Sequence, residues 1–282
     1  MQLSLGQCAT LACLLEATAP KVGNVHRGAD FDDLTFHDFV SSAVAIGPAF
    51  EAAAEGRVGQ IVLDAIKATR HVVATNTNLG MVLLFAPLAA VPHGTQLTTA
   101  TVGQVLKSLD ADDSRNVYAA IRLAKPGGMG QVETMDIAGE APPDLLAAMR
   151  AAADRDLVAR QYVEDFQLVL EEAVREILAG SARGWSLTDS IVRTHVSLIA
   201  NHGDSLINRK CGPDVAGRAS TIAKQVLAAG QPGDEDYYAA LADFDFWLRS
   251  DGHRRNPGTT ADLIAAALFA GLRDGLLTPP WR

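Results

Sequence analysis

Four polar segments of this chain combine residue types that bind phosphates and cations. The first, residues 19–33, carries Lys21, Asn24, His26 and Arg27 beside the carboxylates of Asp30, Asp32 and Asp33. Magnesium is held by one or two carboxylates together with substrate phosphates, so one loop with both sets suits a nucleotide–Mg²⁺ site. The competing reading is a surface loop in which Asp32 or Asp33 caps the next helix. The second segment is Thr75-Asn76-Thr77-Asn78-Leu79-Gly80. A cap needs only one of its polar side chains, which leaves amides free for a ribose or a base edge.

The third segment runs from His202 to Lys210 and includes Asp204, Asn208 and Arg209. If it is helical, Asp204 and Asn208 share a face. Asp204 is then a metal ligand, a general base or a helix cap, and His202 and Arg209 are donors. The fourth is Asn256-Pro257-Gly258-Thr259-Thr260-Ala261-Asp262. A Pro-Gly turn opening an apolar helix presents free N–H groups, which bind anions. Asp262 tolerates a phosphate there if a divalent cation lies between them. Thr259 and Asp262 also have capping-box spacing, so a plain cap competes with an anion site. The Pro126-Gly127-Gly128-Met129-Gly130 loop is neither a P-loop nor a dinucleotide fingerprint. His71 and His195 fall within helical patterns and read as structural.

The elements that must position these groups are helices. Apolar residues recur at helical spacing almost throughout, and no strand-like alternation or internal repeat is convincing. Helices are expected near 4–18, 36–55, 58–74, 79–91, 101–109, 113–124, 143–153, 155–180, 186–201, 213–229, 234–250 and 259–275. Gly56, Pro92, Gly180 and Gly230 mark stops, and Pro213 marks a start. The expectation is an all-α, single-domain bundle of ten to twelve helices spanning 1–282.

Net charge is −9, which excludes a broad nucleic-acid or anionic-membrane surface. Three local basic clusters, Lys21/His26/Arg27, His202/Arg209/Lys210 and His253/Arg254/Arg255, point instead to a small anionic ligand. Three cysteines without CxxC spacing argue against a disulfide framework or a zinc site and suit a reducing cytoplasm. The N-terminus reads as a first helix, not a signal peptide, and no run is long enough to span a membrane.

Taken in order, the segments resemble the triphosphoribosyl-dephospho-CoA synthase family. The resemblance rests on Pro20-Lys21-Val22-Gly23 with Gly28-Ala29 and Asp32, on Asn76-Thr77-Asn78-Leu79-Gly80, on Asp204 through Arg209, and on Pro257 through Leu263. It implies an all-helical, Mg²⁺-dependent transferase; a homodimer is a separate expectation. ATP and 3′-dephospho-CoA would give a 2′-linked triphosphoribosyl product with release of adenine. Asp32, Asp204 and Asp262 would share base and metal duty, with Asp33 a further metal ligand. Lys21, Asn24, His26, Arg27, Asn76, Thr77, Asn78, His202, Arg209, Asn256, Thr259 and Thr260 would contact substrate.

The chain departs from the pattern at Leu79, where the synthases carry a lysine, and at His26 and Asp30 in the first loop. The Pro126–Gly130 loop with Asp136 is more similar to an archaeal and methylotroph-type branch. That branch suggests phosphoribosyl transfer from phosphoribosyl pyrophosphate to a hydroxyl in assembly of a tetrahydromethanopterin-type cofactor. A non-catalytic nucleotide-binding scaffold is the alternative of another class.

Overall fold

Local sequence sets most helix starts. A computed structural model describes residues 3–55, 57–127 and 136–281. Ser4 opens α1 (Leu5–Thr18) with a capping box to Gln7. Thr35 does the same for α2 (Phe36–Glu51) with Asp38, which displaces Asp32 and Asp33 from the expected capping role. A 3₁₀ turn, Ala52–Glu55, follows, and then α3 (Val58–Val72) and α4 (Leu79–Ala90). Thr98 and Asp110 form capping boxes for α5 (Thr99–Lys107) and α6 (Ala111–Ala124).

Asp144 and Asp156 cap α7 (Leu145–Ala152) and α8 (Leu157–Val163). A π-helical stretch, Leu168–Ala173, leads into α9 (Val174–Ala182), α10 (Leu187–His202) and α11 (Ser205–Cys211). Pro213 opens α12 (Pro213–Ala229), and Gly230 at φ 148° ends it. Then come α13 (Glu235–Arg249), a four-residue extended segment Ser250–His253, and α14 (Gly258–Arg273).

Fourteen α-helices among the described residues exceed the ten to twelve expected. The expected helix at 155–180 is broken where Asp165 and Phe166 take φ values of 49° and 63°. The segment at 205–211 forms a helix of its own. Gly56, read as a stop, and Gly128, Met129 and Gly130 of the glycine-rich loop lie outside the described residues.

The centre of the fold is α14. It is apolar on all sides, and every residue from Leu263 to Leu272 is buried. Phe269 stacks on Phe85 of α4 with ring centroids 4.8 Å apart, and Phe50 of α2 packs edge-on against Phe85 at 5.8 Å. Tyr162 of α8 donates to the Leu83 carbonyl of α4 at 2.6 Å. Close helix approach depends on small residues: a Cβ on Gly6 of α1 would lie 2.5 Å from the Gly47 carbonyl oxygen of α2. A second apolar cluster joins α10, α11, α12 and α13 through Val196, Ile207, Ala223 and Phe244. The N-terminus of α14 lies where this cluster meets the main core. No described helix is long and apolar enough to cross a membrane.

Candidate functional site

The loop after α1 is fixed by its backbone. Gly23 has φ 71°, and a Cβ there would meet Leu248 of α13 at 2.8 Å and Pro257 at 2.9 Å, so only glycine fits. The Gly23 amide donates to Asp245 of α13 at 2.7 Å, and Arg249 binds the Asn24 carbonyl. Asn24 then donates to Asn256 across the Pro-Gly turn at 2.5 Å. The first and fourth polar segments are thereby one structure.

The second segment enters from α4. Asn78 stands at the N-cap of that helix without a side-chain cap bond, and Asn76 accepts from the Leu79 amide at 3.1 Å instead. Thr77 pairs with Ser42 at 2.5 Å, and Asn78 with Thr69 at 3.0 Å. Gly80 faces Asp262: a Cβ on Gly80 would lie 2.0 Å from Asp262 Oδ2. The missing side chain is the space that the Asp262 carboxylate occupies.

These parts wall a cavity of about 540 Å³ between α1, α4, α8, α11 and α14. Asn24, Asn256, Asn76, Thr77, Asn78 and Thr259 line it. So do Arg209, Asp33 and Asp262. Asp33 lies 2.9 Å from His253 Nδ1. Arg209 is held by Asp156 at 2.8 Å. Thr259 accepts from Ser205 at 3.0 Å, and α14 has no side-chain cap, so the capping-box spacing of Thr259 and Asp262 is not used as a cap.

Asp262 makes no hydrogen bond or ion pair among the described residues. Desolvation pushes its pKa well above the usual carboxylate range, and the charges of Glu16, Asp156 and Asp204 push it further, against Arg209. A strongly perturbed carboxylate in a cleft marks a functional candidate.

Other expected site residues lie elsewhere. Asp32, His26 and Arg27 do not line the cavity, and Asp32 and Arg27 are exposed. His26 instead accepts from the Gly28 amide at 3.1 Å. Asp204 is buried at the start of α11 and accepts from the Ile207 amide at 2.9 Å and from the Thr260 amide and hydroxyl at 2.8 Å each. Both its oxygens and Thr260 are occupied with each other and the backbone. Burial raises the Asp204 pKa, and these hydrogen bonds oppose the rise. His202 pairs with Glu172 at 2.9 Å beside a neighbouring polar cleft.

Lys21 is fully buried and does not line the cavity. No group of three or more His, Cys, Asp or Glu that could hold a metal ion occurs among the described residues, so Asp32, Asp33, Asp204 and Asp262 do not converge as a four-carboxylate site. His195 is buried on α10, and burial draws its pKa well below the ordinary value, which keeps the ring neutral.

Residues 2–278 match the model of the family described as ATP:dephospho-CoA triphosphoribosyl transferase. The chain belongs to this family. It is also similar to a crystal structure of an Archaeoglobus fulgidus protein assigned as a triphosphoribosyl-dephospho-CoA synthase. That structure is 26% identical with a TM-score of 0.63, over 86% of this chain and 100% of that one. No curated protein matches at a significant level.

Within this transferase the cations facing the cavity differ from those expected. Lys125, Arg155 and Lys210 line it and carry no ion pair among the described residues. Lys210 lies close to the glycine-rich loop: a Cβ on Gly127 would be 3.8 Å from its Cε. Burial lowers the Lys210 pKa, and nearby Cys211, Asp204 and Asp33 oppose that. Lys125 and Arg155 sit just after α6 and just before α8, where isolated charges look like ordinary solvated helix ends. The Gly-rich stretch after Lys125 was the available signal. Glu16, which also lines the cavity, reads in sequence as a mere interruption of an apolar helix.

Proposed function

We propose that this cavity binds ATP and 3′-dephospho-CoA and transfers the triphosphoribosyl group to a ribose hydroxyl, releasing adenine. One observation carries the reading: an unpartnered, half-buried Asp262 shares a single cavity with three unpaired cations, Lys125, Arg155 and Lys210. Lys125, Arg155 and Lys210 complement the triphosphate. Asn24, Asn76 and Asn256 offer amides for ribose hydroxyls.

Charge at the ribosyl carbon becomes positive as adenine departs, and a carboxylate beside it stabilises that charge. Asp262 fits this position or that of the base that takes the acceptor's proton. Fixing both substrates in one cleft supplies orientation. Mg²⁺ suits the site, because it needs only one or two carboxylates beside substrate phosphates, and Asp262 is the open one. When bound, the ion would neutralise triphosphate charge.

Leu79 favours a second reading. It lines the cavity at 6% exposure, where the synthases of the resemblance carry a lysine. A wall with one less cation there suits a smaller phosphoribosyl donor, such as phosphoribosyl pyrophosphate with a pterin-side-chain hydroxyl as acceptor. Parallel incubations separate the two. Free adenine from ATP and dephospho-CoA supports the first. Pyrophosphate release from phosphoribosyl pyrophosphate, with no adenine at high enzyme concentration, refutes it in favour of the second.

A further inference from the structure

Glu16 belongs to none of the four polar segments, yet the residue is 2% exposed and lines the same cavity as Asp262. Its Oε1 lies 2.8 Å from Lys21 Nζ. Lys21 is wholly buried, and its other partners are the backbone carbonyls of Glu16 and Ala19. The ammonium is thus fully engaged in holding Glu16. The second oxygen, Glu16 Oε2, is buried without a hydrogen-bond partner. Buried carboxylate oxygens are ordinarily satisfied, so this one marks a place for a ligand.

Asp262 stands in the same wall, also without a partner among the described residues. Glu16 is the strongest charge acting on it. Lys21 balances one of the two carboxylates and leaves the other uncompensated in a desolvated site. The remaining acidic residues of the cavity are already matched: Asp33 with His253, and Asp156 with Arg209. Two neighbouring carboxylates with unpartnered oxygens on two elements, α1 and α14, offer the one or two protein ligands of a hard divalent cation that takes its other ligands from phosphates and water.

We propose that Glu16 and Asp262 together hold the divalent cation that accompanies the nucleotide's phosphates, and that Lys21 is the buried positioning residue that aims Glu16. This rests on the nucleotide reading above. It assigns the loop lysine to the metal's support and not to the phosphates.

Calorimetry with ATP, with Mn²⁺ as the probe metal or with chelator, tests the assignment, and Mn²⁺ electron paramagnetic resonance counts bound ions directly. The wild type is expected to bind Mn²⁺–ATP about tenfold or more tighter than metal-free ATP, and Glu16→Gln to lose most of that difference. Metal-free ATP should bind Glu16→Gln at least as well as wild type, because a negative charge has gone. Because Glu16→Gln strands a buried lysine, the paired variant Glu16→Gln/Lys21→Met is measured beside it and is expected to show the same loss. An unchanged metal dependence in a folded variant overturns the metal assignment alone. Wild type that binds ATP equally with and without Mn²⁺ does so too. Wild type that binds neither form overturns the nucleotide reading and this inference with it.

Discussion

Gly80→Ala separates the site from the scaffold. The added Cβ would lie 2.0 Å from Asp262 Oδ2, 2.4 Å from Cγ and 2.9 Å from Oδ1. Ordinary contact begins near 3.4 Å, so the carboxylate must retreat by roughly 1.4 Å. The neighbour that moves is the end of a flexible side chain, so the cost is that of a poorer rotamer, about 1 kcal/mol. Alanine in place of glycine inside a helix returns about 1 kcal/mol. Net stability should stay within about 1 kcal/mol of wild type, which urea unfolding followed by circular dichroism measures. Activity should not stay. A misplacement of about 1 Å at a reacting centre costs on the order of 100-fold in rate. The assay is adenine release from ATP and dephospho-CoA, followed chromatographically. A variant with wild-type turnover and native stability would refute the argument that Asp262 must occupy the Gly80 notch.

Three further outcomes follow from the same geometry. Lys125→Ala, Arg155→Ala and Lys210→Ala should each weaken ATP binding about fivefold, roughly 1 kcal/mol, and reduce its salt dependence, as measured by calorimetry at two ionic strengths. Asp204→Ala removes the acceptor of three hydrogen bonds, one capping α11 and two tying it to α14, and should destabilise the protein by about 3 kcal/mol in urea unfolding; unchanged stability with lost turnover would instead restore a direct chemical role. Among the cysteines, only Cys211 is not fully buried. Burial pushes the Cys8 thiol up to about 11 and Cys13 well above its ordinary value. Alkylation of the native protein at pH 8 should therefore label Cys211 alone, with all three labelled in denaturant, as mass spectrometry reads directly.

The start at Pro213 was legible, whereas the cap of α2 is Thr35 where Asp32 or Asp33 was expected, and Asp110 opens α6 ahead of the expected 113. The break after α8 was not legible, because Glu164 to Gln167 contain neither glycine nor proline and the positive φ values fall on Asp165 and Phe166. The four polar segments were legible as a set, and Asn24, Asn76, Asn256 and Asp262 do meet in one cavity. What sequence could not show is which member of each segment turns inward. Lys21 is the loop's most obvious phosphate donor, yet it is consumed by Glu16 one turn back along the chain. Asp204 and Thr260 bind each other across 56 residues of sequence separation. Lys125 and Arg155 reach the site only through the tertiary placement of the end of α6 and the start of α8 at the cavity, which no local pattern encodes.

This cavity is proposed to join the ribose of ATP to a hydroxyl of dephospho-CoA. Incubating the protein with dephospho-CoA and ATP labelled with ¹³C in the ribose tests it most directly, with mass spectrometry of the acceptor. Labelled triphosphoribosyl-dephospho-CoA and one equivalent of free adenine are expected, both absent with Asp262→Asn. Acceptor recovered without label at high enzyme concentration, or an Asp262→Asn variant that forms the adduct at the wild-type rate, would contradict it.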